Sequence, residues 1–67
     1  MCNGTLIQTV KTPLGKTVEC ISTQFEKEYY INGKPVKDNT SIDLCRGIIE
    51  YAERNGFLNE ERYSFSL

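Results

Sequence analysis

The chain contains no histidine and no tryptophan. Without histidine the commonest general base at neutral pH is missing, and neither a Cys-His nor a Ser-His nucleophile pair can be assembled. The same absence, with no C-x-x-C pair, removes the usual ligand sets of a structural zinc site. The cysteines are Cys2, Cys20 and Cys45, odd in number and widely spaced, which does not read as a disulfide framework. Long apolar runs are missing too. The most apolar stretch near the N-terminus is Leu6-Ile7, too short for a secretory core or a membrane span. The expectation is a reduced, cytoplasmic protein with no membrane partner, no metal, no cofactor and no catalytic residues.

Neither sign of charge is in excess. The formal net charge is −1, which argues against bulk duplex DNA or an anionic membrane as partner. Residues 1–37 carry five lysines against three acids, and residues 38–67 carry three arginines against six acids. That mild dipole between halves reads as solvated surface. The five glycines form neither a Walker loop nor a dinucleotide fingerprint.

At 67 residues the chain reads as a single domain spanning residues 1–67. A chain this short buries only about 60% of the surface its unfolded form exposes, and its core supplies roughly 3–5 kcal/mol of net stability.

The first half reads as β. Residues 5–10 and 17–23 are rich in Thr, Val and Ile, the residues that pleated, half-buried strands prefer. Between them Pro13 pre-sets φ for a type I turn, and Gly15 can follow in the left-handed region as a bulge. That loop sets Val10 opposite Val18 and puts Leu6, Val10, Val18 and Cys20 on one face. The second hairpin is marked by Asn32-Gly33, because a type I′ turn needs positive φ at both central positions. It pairs Ile31 with Lys34 and Tyr29 with Val36, leaving Tyr30 and Pro35 on the opposite face. Pro35 lacks a ladder donor and marks a sheet edge. The junction at residues 22–28 is the least legible part.

A helix follows. Thr40-Ser41-Ile42-Asp43 resembles a capping box with Thr40 as N-cap, and Gly56 ends the helix in a Schellman motif with Phe57 folding back on Ala52. Ile42, Leu44, Cys45, Ile48, Ile49, Tyr51 and Ala52 occupy one half of the wheel, and the charged residues fill the other. The tail at residues 63–67 alternates apolar and polar, as a strand does. The expected fold is α+β: a small antiparallel sheet of two β-hairpins packed on one α-helix, with a C-terminal strand, in the order ββββαβ.

Two features carry a functional expectation. Gly47 sits mid-helix on the polar half, where glycine costs about 1 kcal/mol against alanine. Close approach of another chain would account for it, with Asp43, Arg46 and Glu50 as the surrounding recognition patch; the plainer alternative is a tolerated blemish. Tyr30 is expected to project from the uncovered sheet face beside Lys27 and Pro35, where an aromatic can anchor an interface or stack a base. The apolar half-wheel is also wider than the stripe a surface helix needs, so Leu44 and Tyr51 at its margin await either the chain's own tail or a second copy. Glu26 and Glu28 read as solvated surface on one side of a strand, and Cys20 and Cys45 as inert core thiols. The expected function is a non-enzymatic protein-binding module, a stand-alone regulator or inhibitor docking on a larger protein. The alternative is a nucleic-acid or nucleotide binder using the lysine-bearing hairpins, with self-association into a ligand-sequestering oligomer left open.

Overall fold

The computed structural model describes residues 3–66. Short-range turn chemistry shapes the sheet. Thr12 and Lys16 close the first hairpin by a main-chain bond of 2.8 Å, and the Gly15 N–H donates to the Thr12 carbonyl at 2.9 Å. Gly15 takes φ +84°, the left-handed bulge position that glycine fills without strain. These bonds join β1 (Asn3–Lys11) to β2 (Thr17–Ser22), with Val10 opposite Val18 as the spacing predicts. At the second hairpin Asn32 and Gly33 have φ of 52° and 82°, the pair of positive values that a type I′ turn requires. The turn connects β3 (Lys27–Ile31) to β4 (Lys34–Pro35) and pairs Ile31 with Lys34.

The junction that the sequence leaves open is itself a tight turn. The Thr23 N–H donates to the Glu26 carbonyl at 2.8 Å, while the Thr23 hydroxyl oxygen accepts from the Phe25 and Glu26 amides. Such a hydroxyl substitutes for main-chain partners in a turn. Glu26 therefore lies in the turn and not on the strand with Glu28, and β2 pairs directly with β3.

Helix α1 (Asn39–Asn55) begins earlier than the capping-box reading places it. Asp38, not Thr40, is the N-cap: its carboxylate accepts from the Ser41 N–H at 2.8 Å, and its backbone is extended. An ionised oxygen at the N-cap satisfies an orphan donor and meets the positive end of the helix dipole. Asp43, left out of the cap, pairs instead with Arg46. The C-terminus follows expectation, with Gly56 at φ +75° and the Phe57 N–H bonded to the Ala52 carbonyl at 2.8 Å. The chain then returns as β5 (Glu60–Ser66), antiparallel to β1. Asn59 pins that return: its side-chain oxygen accepts from Lys11 N at 2.7 Å, and its own N–H donates to the Thr9 carbonyl at 2.9 Å.

The result is a five-stranded antiparallel sheet in the order β4-β3-β2-β1-β5, with one helix on one face. Helix α1 packs on β1, β2 and β3 and not on β5. Val10, Val18, Cys20 and Tyr29 from the sheet meet Cys45, Ile49 and Ala52 from the helix, flanked by Ile31, Val36, Ile42, Ile48 and Leu58. The wide apolar half of the helix thus divides. Its central residues form the core, while Leu44 and Tyr51 are each 62% exposed.

Two outcomes test this packing. Ile49→Ala should cost about 2–4 kcal/mol by removing buried methyl groups and leaving a cavity, whereas Leu44→Ala should stay within about 0.5 kcal/mol; urea titration of both variants measures the contrast. The second outcome is a pH effect at the cap. The Ser41 N–H holds the Asp38 carboxyl below its usual value, so its stabilisation is present above the unfolded aspartate pKa of about 3.9. It is lost as pH falls through the lower folded value. Asp38→Ala should therefore lower Tm by several degrees at neutral pH, with the gap closing in strong acid, and Asp38→Asn should keep the cap without that pH dependence.

Candidate functional site

Residues three and four apart on a helix are surface neighbours, so Leu44, Gly47 and Tyr51 follow one another along a single stripe of α1. Gly47 has no side chain, and a Cβ built on it would meet nothing within 4 Å. The stripe is therefore a notch open to solvent, floored by helix backbone and walled by two exposed apolar side chains. The apolar wall continues past the helix end. The Phe57 ring is 60% exposed and lies against Tyr51, with centroids 6.0 Å apart and planes tilted by 31°. The 6→1 bond at the Gly56 cap places that ring there, because it turns the chain back across the last helical turn.

Charge borders the opposite side of Gly47. Arg46 Nη2 donates to Asp43 Oδ1 at 2.7 Å, and both side chains are exposed. Such a pair contributes little to the fold, and its charges remain available to a partner. Glu50 is exposed beside them. The structure thus brings four of the five expected residues, Asp43, Arg46, Gly47 and Glu50, onto one helical surface, and adds Leu44, Tyr51 and Phe57 to it.

Tyr30 is not part of this surface. It alternates with Tyr29 and Ile31, which pack on the core, so it projects from the sheet face that α1 leaves open. Pro35 is opposite it, as expected. Lys27 is not its neighbour on that face, since Lys27 pairs with Ser22 and belongs to the alternate set with Tyr29. The Tyr30 hydroxyl donates to Glu28 Oε2 at 2.8 Å, and Glu19 is its cross-strand partner. That bond, then the Glu28 charge, pushes the phenol above its ordinary pKa. A tyrosine set between two carboxylates lacks the cationic surroundings that a nucleic-acid stacking platform uses.

Gln8, between Leu6 and Val10 on β1, is the buried polar residue among those described. Only 4% exposed, it donates from Nε2 to Glu53 Oε2 at 2.6 Å and to Glu61 Oε2 at 2.9 Å. One amide therefore ties β1 to both the helix and β5. Its place on the inward face of β1 was legible in the strand alternation, but its partners, 45 and 53 residues away in sequence, were not.

Cys20 and Cys45 are buried and free, and burial pushes the Cys45 thiol up, which suits an inert core group. Cys2 lies outside the described residues. Two surface hollows of about 280 and 270 Å³ are lined by Gly4, Leu6 and Tyr63 in one case and by Tyr30, Val36 and Ile42 in the other. Both fall just below the usual range for small-molecule sites. No group of metal-ligating side chains occurs among the described residues, and no helix there is long and apolar enough to cross a membrane. The chain matches no protein-family model, no curated protein and no solved structure.

Since no described residue comes within 4 Å of a Cβ at Gly47, Gly47→Ala should stabilise the free protein by about 1 kcal/mol, read as a rise in the midpoint of thermal or urea unfolding. A loss of stability would mean that the glycine serves the chain's own fold.

Proposed function

We propose that this chain is a non-enzymatic protein-binding module, a regulator or inhibitor that docks on a larger protein through the exposed stripe of α1. The observation that carries this reading is the glycine-floored notch between Leu44 and Tyr51. Glycine at that point lets a partner's backbone approach more closely than the usual 8–10 Å between helix axes. The flanking leucine and tyrosine supply apolar area that pays no further desolvation of charge. Aromatic anchors beside small pockets are where binding energy concentrates, and Tyr51 with Phe57 forms such an anchor. The Asp43–Arg46 pair and Glu50 provide a polar rim that orients the partner more than it tightens binding.

Nucleic-acid binding through Tyr30 and the hairpin lysines is the weaker reading, because Tyr30 is bonded to Glu28 and faces Glu19. Native mass spectrometry on protein gently purified from its source cells would identify the retained partner and its stoichiometry. Titration of that partner should then show Gly47→Arg weakening binding by about tenfold or more, equivalent to about 1.4 kcal/mol, while Tyr30→Ala changes little. Unchanged affinity in Gly47→Arg sinks the proposal.

A further inference from the structure

The sequence contains Asn-Gly three times, at residues 3–4, 32–33 and 55–56. An asparagine followed by glycine can react with itself, because the glycine nitrogen can attack the side-chain amide carbon Cγ. A residue without a Cβ leaves that approach open and turns freely enough to reach it. All three pairs share this chemistry, so the fold decides which of them reacts.

Two of the pairs are restrained at the attacking nitrogen. Gly4 lies within β1, and the Tyr63 ring occupies the place that its Cβ would take. Strand and ring together oppose rotation of that peptide. The Gly56 N–H donates to the Ala52 carbonyl at the helix end. Asn55 Nδ2 donates to the Tyr51 carbonyl at 2.9 Å, so both reacting groups are tied to the last helical turn.

At Asn32-Gly33 the restraint falls on the other partner. Asn32 is fixed twice to Thr17: its N–H donates to the Thr17 carbonyl at 2.8 Å, and its Oδ1 accepts from the Thr17 N–H at 2.9 Å. The Gly33 N–H donates to no described residue, and nothing lies within 4 Å of a Cβ built there. Both residues are exposed. Beyond them runs β4, only two residues long at the edge of the sheet, where local opening is least costly. Rotation about the Asn32 Cα–C bond brings the Gly33 nitrogen towards Cγ while Asn32 stays on Thr17. Attack turns Oδ1 into an oxyanion, and the Thr17 N–H is already placed to stabilise it.

We propose that Asn32 is a self-modification site, at which the Gly33 nitrogen converts the Asn32 amide into a carboxylate. The Gly33 nitrogen gives its proton to solvent and bonds to Cγ. The bond from Cγ to Nδ2 breaks, Nδ2 takes a proton from solvent, and ammonia leaves a succinimide ring. Water then opens either imide carbonyl, giving aspartate or isoaspartate. Isoaspartate adds a methylene to the main chain of a two-residue loop, and the type I′ turn can no longer hold Ile31 opposite Lys34. The step adds a negative charge at the tip of the second hairpin and loosens β4, while the α1 stripe takes no part.

The natural chain, folded and at mildly alkaline pH, should lose the amide at Asn32 several-fold faster than at Asn3 or Asn55. Peptide mapping by mass spectrometry locates the change, and enzymatic methylation counts the isoaspartate. In concentrated urea the three rates should converge, since the sequence around each reacting bond is then all that remains. A synthetic chain with D-alanine at position 33 keeps the positive φ of the turn but crowds the nitrogen. It should slow loss at Asn32 several-fold and leave Asn55 unchanged. An intact Asn32, a rate there no greater than at Asn3 or Asn55, the same ranking in urea, or a D-alanine chain that reacts as fast would overturn the proposal.

Discussion

The contact between α1 and three strands is the constraint on which the rest of the molecule depends. Its buried members are few, and the helix contributes only Cys45, Ile49 and Ala52 to them. Two of these are small, so the helix is close to the sheet and the seal depends on fit more than on bulk. A single helix about 25 Å long at 1.5 Å per residue cannot cover five strands. It lies over β1 to β3 and leaves two surfaces that a larger domain would bury: the outer flank of the helix and the strand added last.

The fold was legible where it rests on local chemistry. Asn32-Gly33, Pro13 with Gly15, and Gly56 each require a backbone conformation that only a few residues adopt, and each turn or cap is where the sequence puts it. The errors have a common physical origin. Asp38, Thr40 and Asp43 all have cap-forming side chains within six residues, and choosing among them depends on where the chain leaves β4. The Thr23 turn was obscured because its hydroxyl supplies contacts that glycine or proline would have advertised. Leu58 packs on the core from a connection that carries no periodicity.

The candidate site was half legible, for a similar reason. A helical wheel places Gly47 with Asp43, Arg46 and Glu50, because those positions share an element. It also shows Leu44 and Tyr51 at the margin of the apolar half, but it cannot say whether the sheet reaches them. Only the packing shows that it does not, and that the glycine is bordered by apolar side chains on one side and charge on the other. Tyr30 failed to join the group because neighbours on a strand are set by register. A shift of one residue would have exchanged its partners for those of Tyr29.

Stability sets the weight these surfaces can bear. A chain of this size retains roughly 3–5 kcal/mol, so the ~1 kcal/mol that a mid-helix glycine costs is a substantial fraction of the whole. Strand β5 is the last of the sheet, and edge strands are where a fold is generally least protected. Either could be removed by a single substitution that leaves the core untouched: alanine at Gly47, or lysine in β5. Such features do not by themselves require a partner, since natural chains commonly keep positions that a simple substitution would stabilise; what they show is that the fold does not depend on them. The core lies between α1 and β1 to β3, so both the outer flank of the helix and β5 can change without disturbing it.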